Sequence, residues 1–164
     1  MDAELTRKLA HLLRSRRTAA LGTLHGGAPF VSMVPYAIAE DGAGFLIHVS
    51  RLARHTRDMI ADARVSLLVS ETEGGDASPL ALPRATVQGE AQAVARDAAE
   101  QAAYRSTYLG RFPDAEPMFS FADFSLVLIR PASARFVAGF GQAHSLSGEA
   151  LQRLLLPRLR IGSY

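Results

Sequence analysis

The chain opens with an amphipathic segment. Leucines recur at helical spacing at positions 5, 9, 12 and 13, with Asp2 and Glu4 near the start and arginines at 14, 16 and 17 near the end. This charge order complements the helix dipole and predicts a first helix. From residue 18 the pattern changes to short apolar runs separated by glycine-rich segments. It predicts strands at 18–24, 30–39 and 45–49, with turns at 25–28 and 40–44.

The remainder of the chain continues this pattern of short strands. We predict strands at 64–70, 83–94, 119–129 and 135–140, helices at 96–108 and 149–159, and loops at 71–80 and 110–117. Pro35, inside the second strand, must lie at an edge, at a bulge or beside a ligand. Gly89 predicts a bulge or a close approach of two backbones. Pro157 interrupts or kinks the last helix, and the sheet is expected to end at Gly139-Phe140-Gly141-Gln142.

About six strands with short turns and few helices predict a mainly β fold. We expect a six-stranded antiparallel barrel of the Greek-key type, a β-barrel with α-helices packed at its openings. The 164 residues are 48% hydrophobic and 21% charged, which suits one globular domain spanning 1–164.

One stretch brings several donor groups together. Residues 48–63, HVSRLARHTRDMIADA, run from the end of a strand through Ser50, the expected N-cap, into a segment with helical spacing. A helix N-terminus attracts anions through its free N–H groups and its dipole, and most helices place Asp or Glu there. Here the first turns carry cations and donors instead, which predicts a site for a ligand phosphate: Arg51, Arg54, His55, Thr56 and Arg57.

Composition excludes several classes of function. The net charge of +2 arises from scattered basic residues, which argues against a nucleic-acid partner. Cysteine is absent, so disulfides, thiolate nucleophiles and cysteine metal sites are excluded. No apolar run approaches the roughly 20 residues of a membrane span, and the first helix lacks the apolar core of a secretory signal. We therefore expect a cytoplasmic protein with no membrane partner.

The order of these segments resembles the pyridoxamine 5′-phosphate oxidase relatives, which form an FMN-binding split β-barrel. The similar segments are ALGTL, PFVSMVPYA, DGAGFLIHVS, LARHTRDMIADARVSLLV and PRATVQGEA. Within that family the chain is most similar to the haem-utilisation branch. The S-x-L-A-x-H-T and G-F-G-Q-A motifs of that branch correspond to residues 50–56 and 139–143, and the resemblance runs from about residue 12 to 143.

The resemblance implies an FMN site at the interface of a homodimer. It places the phosphate at the end of the third strand and the start of the helix, at Val49, Ser50, Arg54, His55 and Thr56. It places the flavin ring along the second strand, at Ser32, Met33, Val34, Pro35 and Tyr36. Arg84 would reach the flavin pyrimidine edge, with a surface salt bridge as the alternative role, and Gln142 would contact the cofactor from the late motif.

Several positions depart from the oxidases, which carry Arg and Lys where this chain has Ser32 and Ala37, and Lys where it has His55. The resemblance thus implies an FMN-dependent oxidoreductase acting on an unknown small substrate, with no catalytic side chain assigned. The flavin itself would carry the redox chemistry. Two alternatives stay open, namely a haem-binding protein of haem utilisation and a dimeric flavin-binding module without turnover.

The five histidines lack a close pair such as H-x-x-x-H, so no metal site is predicted. We expect His48 to be a half-buried strand residue, His25 to belong to a turn, and His11 to lie on the surface of the first helix. His144 follows the late motif and is a candidate to approach a flavin or a haem iron. Aromatic residues of the second half are assigned to the core or to a dimer interface: Tyr104, Tyr108 and the phenylalanines between 112 and 124.

Overall fold

The computed structural model describes residues 1–74 and 78–157. Its first helix, α1 (Ala3–Ser15), lies where the leucine spacing predicts it. The Asp2 carboxylate accepts a hydrogen bond from the Leu5 N–H at 2.8 Å and so caps the helix. The predicted apolar face is buried, because Leu9, Leu12 and Leu13 pack into the main core.

Eight strands follow in the described part of the chain. They are β1 (Thr18–His25), β2 (Ala28–Pro35), β3 (Ala37–Ile38), β4 (Phe45–Ser50), β5 (Arg64–Ser70), β6 (Arg84–Ala93), β7 (Phe124–Gly139) and β8 (Gln142–Ser147). The further α-helices are α2 (Arg54–Ala61), α3 (Gln101–Arg111) and α4 (Gly148–Leu155). Two 3₁₀ helices, Pro79–Ala81 and Pro113–Ser120, occupy parts of the predicted loops.

All strand pairings are antiparallel, and they form one sheet in the order β2-β1-β5-β6-β7-β4-β3, with β8 paired to β7. The two ends of this order, β2 and β3, are separated along the chain by Tyr36 alone. The sheet therefore curls back toward itself, which gives the predicted split-barrel architecture with helices packed against it. It has eight strands rather than six, because β3 and β8 are additional short strands.

The predicted strand 30–39 is broken at Tyr36. The Tyr36 N–H donates to the Arg17 carbonyl at 3.0 Å, away from the sheet. The ring is fully buried, and its hydroxyl donates to the Leu13 carbonyl at 2.6 Å. Burial raises the Tyr36 pKa above its usual range, so this hydroxyl stays protonated as a structural donor.

The two strands predicted at 119–129 and 135–140 are one continuous strand, β7, which passes through Pro131. Proline lacks an N–H, but the pairing with β6 shifts register between Gln88 and Gly89, and this bulge accommodates it. A Cβ at Gly89 would overlap the Arg130 carbonyl oxygen, which confirms the predicted close approach. The late Gly-Phe-Gly-Gln motif does not end the sheet, since β8 begins at Gln142 and pairs back onto β7.

Two apolar cores hold these elements. The larger lies inside the barrel beneath α1, α2 and α4, and the smaller lies beneath α3. Tyr104 and Tyr108 belong to the smaller core, as predicted. The predicted helix 96–108 begins later, at Gln101, and the last helix ends at Leu155, with predicted positions 158–159 outside the described residues. No helix in the described ranges is long and apolar enough to cross a membrane.

Candidate functional site

Helix α2 has its N-cap three residues later than predicted. Its N-cap is Ala53, which offers no side-chain cap, so the prediction of Ser50 as N-cap is wrong. The Ser50 hydroxyl instead donates to the Asp123 carboxylate at 2.5 Å and accepts from the Leu52 N–H at 3.1 Å. Both of its hydrogen-bonding functions are thus used inside the protein, next to a negative charge.

His55 connects the helix start to strand β2. Its Nδ1 lies 3.1 Å from the Ser32 hydroxyl oxygen, within hydrogen-bond distance. Partial burial lowers the pKa of His55, and the opposing charge of Asp58 does not overcome that effect. His55 is therefore neutral at neutral pH, unlike the lysine that the oxidases have at this position.

Arg54 occupies the first turn of α2, and its guanidinium lies 5.3 Å from the centre of the Phe30 ring. This cation–π contact orients the arginine over the β2 side of the helix. Thr56 points the other way, is only 5% exposed, and its hydroxyl has no hydrogen-bond partner among the described residues. Thr56 lines a cavity of about 290 Å³ together with Arg51, Met59, Ile60, Ala91, Ala93, Ser125 and Val127.

The predicted ring-side strand has two different faces. Met33 is 66% exposed and Pro35 is also exposed, so the outer face of β2 is open. Val34, Tyr36 and Val49 have buried side chains and can offer a ligand only their backbone atoms. The role of these residues in cofactor binding stays a prediction.

Arg84 and Gln142 lie at the opposite end of the sheet from α2. Arg84 pairs in register with Val137 and donates to the carbonyls of Leu80 and Leu82 at 3.3 and 3.1 Å, not to a carboxylate. These two ends of the sheet are separated by the length of a strand. Strand β1, for example, spans seven residue steps, or roughly 23 Å. One chain therefore brings Ser32, Arg54 and His55 together but leaves these two residues apart from them.

A group that sequence patterns missed lies beside Arg54. Asp58 is only 3% exposed, and its carboxylate accepts from the Thr23 hydroxyl at 2.9 Å and contacts Nδ1 of His25 at 2.6 Å. Burial alone would raise the Asp58 pKa, but these two hydrogen bonds and the nearby positive charges outweigh it, and the pKa is lowered. Asp58 is thus a buried ionised carboxylate. Its partner His25 lies 33 residues earlier in the sequence, so no local sequence pattern could indicate this contact.

The other histidines lie elsewhere. His48 is half-buried on β4, as predicted, and it stacks on Phe119 with ring centres 3.8 Å apart. Burial lowers its pKa to about 4, so the ring is neutral at neutral pH. His11 is exposed on α1, as predicted. His144 lies on β8 opposite Phe136, remote from α2. No cluster of metal-ligating side chains occurs in residues 1–74 and 78–157.

The profile of the pyridoxamine 5′-phosphate oxidase family matches residues 5–138. The chain belongs to this family. Two of the relatives that it matches, HutZ and HOZ, lie in the haem-utilisation branch, as the sequence motifs indicated.

Three comparisons describe this branch. The chain is 28% identical over 155 residues to the haem oxygenase HutZ of Vibrio cholerae, covering 92% of this chain and 86% of HutZ. It is 40% identical over 123 residues to the chloroplastic haem oxygenase HOZ of Arabidopsis thaliana, covering 75% of this chain but only 36% of HOZ. A haem-binding protein from Mycobacterium smegmatis superposes with a TM-score of 0.83 at 28% identity, covering 93% of this chain and 62% of that one. The chain thus spans about a third of HOZ and less than two thirds of the mycobacterial protein.

Proposed function

We propose that this chain binds haem, as a member of the haem-utilisation branch. The observation that carries the proposal is the similarity to HutZ along most of both chains. It favours the haem-binding alternative over the FMN-dependent oxidoreductase that the wider family resemblance implied. Whether bound haem is degraded, as the names of HutZ and HOZ describe for those proteins, is a further part of the proposal.

The electrostatics at the start of α2 support a haem more than FMN. A flavin phosphate carries up to two negative charges, which the oxidases meet with adjacent cations. Here His55 is neutral, Ser50 is bonded to the Asp123 carboxylate, and Asp58 adds a buried negative charge. Each of the two haem propionates carries only one charge, and the Arg54 guanidinium can meet one of them with two parallel hydrogen bonds.

FMN is the second candidate ligand, and one observation favours it. The contact between Ser32 and His55 joins the predicted ring-side strand to the predicted phosphate-binding helix, with Arg54 beside them. The positions of these residues suit FMN, the cofactor of the wider family, whereas their charges do not. Bound FMN would supply hydride or electron transfer, and the protein groups would orient it.

We also propose that the functional unit is a homodimer. The outer face of β1, β2 and β5 exposes apolar side chains, with Val31 and Met33 at 66% and Leu68 at 42% exposure. Ala20 pairs with both Met33 and Leu68, so these side chains adjoin on one face. A second copy on this face would bury them and could supply the distant Arg84 and Gln142 to the site of its partner.

A titration with haemin tests the proposal. We expect wild-type protein to give a saturable Soret band, and Arg54→Ala to weaken binding. Arg7→Ala is the matched control, since Arg7 is an exposed arginine of another helix, α1, and belongs to no predicted site. A wild-type protein that binds FMN but gives no haem spectrum would overturn haem binding in favour of the second candidate.

A further inference from the structure

A cavity lies between helix α2 and the ends of strands β6 and β7. Val127 of its lining belongs to the main core and Ala91 packs against that core, so the cavity is on the inner side of the sheet. We call it the α2 cavity. Its volume is about 290 Å³, and it is lined by Arg51, Thr56, Met59, Ile60, Ala91, Ala93, Ser125 and Val127.

The strand side of the lining changes from polar to apolar along β7. The Arg51 N–H donates to the Asp123 carbonyl at 2.8 Å, which places Arg51 at the start of this strand. Further along, Val127 pairs with Ala93, and Ala91 lies two residues beyond Ala93 in the same direction. Arg51 and Ala91 therefore mark the two ends of the cavity.

The helix side of the lining runs in the same direction. Thr56 belongs to the first turn of α2, whereas Met59 and Ile60 lie one turn further on. Beyond the helix, the Ala63 carbonyl accepts a hydrogen bond from the Ala91 N–H at 2.8 Å. The end of α2 is thus next to the Ala91 end of the cavity, and both walls change from polar to apolar together.

The polar end can bind an anionic group. The Arg51 guanidinium is positioned by a hydrogen bond to the Ala122 carbonyl at 3.1 Å, and an arginine has further N–H donors for a ligand. Thr56 is only 5% exposed, and its buried hydroxyl has no hydrogen-bond partner among the described residues. Leaving such a hydroxyl unsatisfied is unfavourable, and an acceptor on a ligand would correct this. The described residues that line the cavity include no acidic side chain.

The volume of the cavity limits the size of a ligand. One water occupies roughly 30 Å³ in the liquid, so the cavity accommodates roughly ten non-hydrogen atoms. A whole haem or FMN molecule is too large for it. At the apolar end the walls are Met59, Val127 and two alanines, which offer an unbranched hydrocarbon chain contact without a polar partner.

We propose that the α2 cavity binds a small amphipathic carboxylate with a chain of about eight carbons. The carboxylate accepts hydrogen bonds from the Arg51 guanidinium and the Thr56 hydroxyl, and the chain extends toward Ala91. A carboxylate suits this end because a guanidinium can give it two parallel hydrogen bonds. The site does not depend on haem binding, since Arg54 lies over Phe30 on the β2 side of the helix.

Isothermal titration calorimetry of the full chain with octanoate tests the proposal. We expect saturable binding of one octanoate per chain. Butyrate should bind roughly 200-fold more weakly, because each of the four missing methylene groups contributes about fourfold in affinity when buried. Octylamine has a chain of the same length with a positive charge, and it should not bind beside Arg51.

Variants at the two ends of the cavity locate the ligand. Ala93→Leu fills the apolar end and should abolish octanoate binding. Gln92→Leu is its matched control, because neighbouring residues of a strand point to opposite faces and both positions are exposed. Arg51→Gln and Thr56→Val should each weaken binding about tenfold or more, the loss expected for a hydrogen bond to a charged group. Arg7→Gln, on α1, should bind as wild type does.

Circular dichroism of each variant shows whether it is folded. Octanoate that fails to bind wild-type protein in a saturable way would overturn the proposal. Binding that persists in folded Ala93→Leu and Arg51→Gln would place the ligand elsewhere and also overturn it. Equal affinities for octanoate and octylamine would contradict the carboxylate site at Arg51. Wild-type protein that binds octanoate but not haem would overturn the proposed haem binding alone.

Discussion

Nδ1 of His25 lies 2.6 Å from Oδ1 of Asp58, and this contact joins the β1–β2 hairpin to the middle of α2. Thr23 donates to the same carboxylate from the neighbouring inward position of β1. The three side chains fix the helix that carries Arg54 and His55 against the β1–β2 hairpin, whose second strand carries Phe30 and Ser32. The position of the candidate site therefore depends on a small buried polar group.

Thr23→Val should destabilise the protein. The substitution keeps the shape of the side chain but removes a buried donor to an ionised carboxylate, so we expect a loss of about 1.5–3 kcal/mol in the free energy of unfolding. Urea denaturation followed by circular dichroism measures it. Thr18→Val, at an exposed position of the same strand, is the control and should change little. Equal effects of the two substitutions would show that the Asp58 contact adds no stability.

Thr56→Val should have the opposite effect on the free energy of unfolding and stabilise the protein. The Thr56 hydroxyl is buried without a hydrogen-bond partner among the described residues, and leaving such a group unsatisfied is unfavourable. Replacing it by a methyl group of similar volume should raise the free energy of unfolding by about 1 kcal/mol. The same urea experiment tests this. A clear destabilisation would mean that the hydroxyl has a partner in solution.

Stability should fall as the pH falls from about 6.5 to about 4, because of His48. Its pKa is lowered from 6.5 to about 4 in the folded protein, since burial disfavours the charged ring. In that range the unfolded chain binds a proton that the folded chain does not, so acid favours unfolding. His55 is shifted in the same direction and adds to the effect.

His48→Phe removes this titration while keeping an aromatic ring against Phe119. Its denaturation midpoint should therefore depend less on pH between 6.5 and 4 than that of wild type, with His11→Gln as the exposed control. An unchanged pH dependence in His48→Phe would show that His48 does not titrate abnormally.

Met33→Asp should dissociate the proposed homodimer. It places a charge at the centre of the exposed apolar face of β1, β2 and β5, where a second copy would have to bury it. Size-exclusion chromatography with light scattering should show dimeric wild type and a monomeric variant. Leu80→Asp, at an exposed apolar position in a 3₁₀ helix, should stay dimeric. Monomeric wild type would contradict the dimer itself.

Local features of the fold followed directly from sequence. Asp2 before a leucine-patterned segment predicted the start of α1, and Gly26-Gly27 predicted the hairpin turn. Both glycines adopt positive φ, 57° and 85°, as a two-residue hairpin turn requires. The position of Gly89 similarly predicted the close approach to the Arg130 carbonyl.

Features that depend on partners distant in sequence were not predictable in this way. Pro131 looked like a strand break, but a bulge in β7 itself, where Ala132 is the extra residue opposite Gln88 and Gly89, accommodates it. Strand β8 was not predicted from the sequence. Its only strand partner in the described chain is β7, and the proline in β7 had made that strand look like two shorter ones. Arg54 and His55 were recognised from their place at a helix start, whereas Asp58 acquires its role only from Thr23 and His25 on another element.

Equilibrium dialysis of wild-type protein against equal concentrations of haemin and FMN tests the central claim most directly. Absorption spectra of the retained material report which ligand stays with the protein. We predict that haem is retained in stoichiometric amount and that FMN is not, because the start of α2 offers Arg54 but a neutral His55. Retention of FMN with no haem would contradict the account.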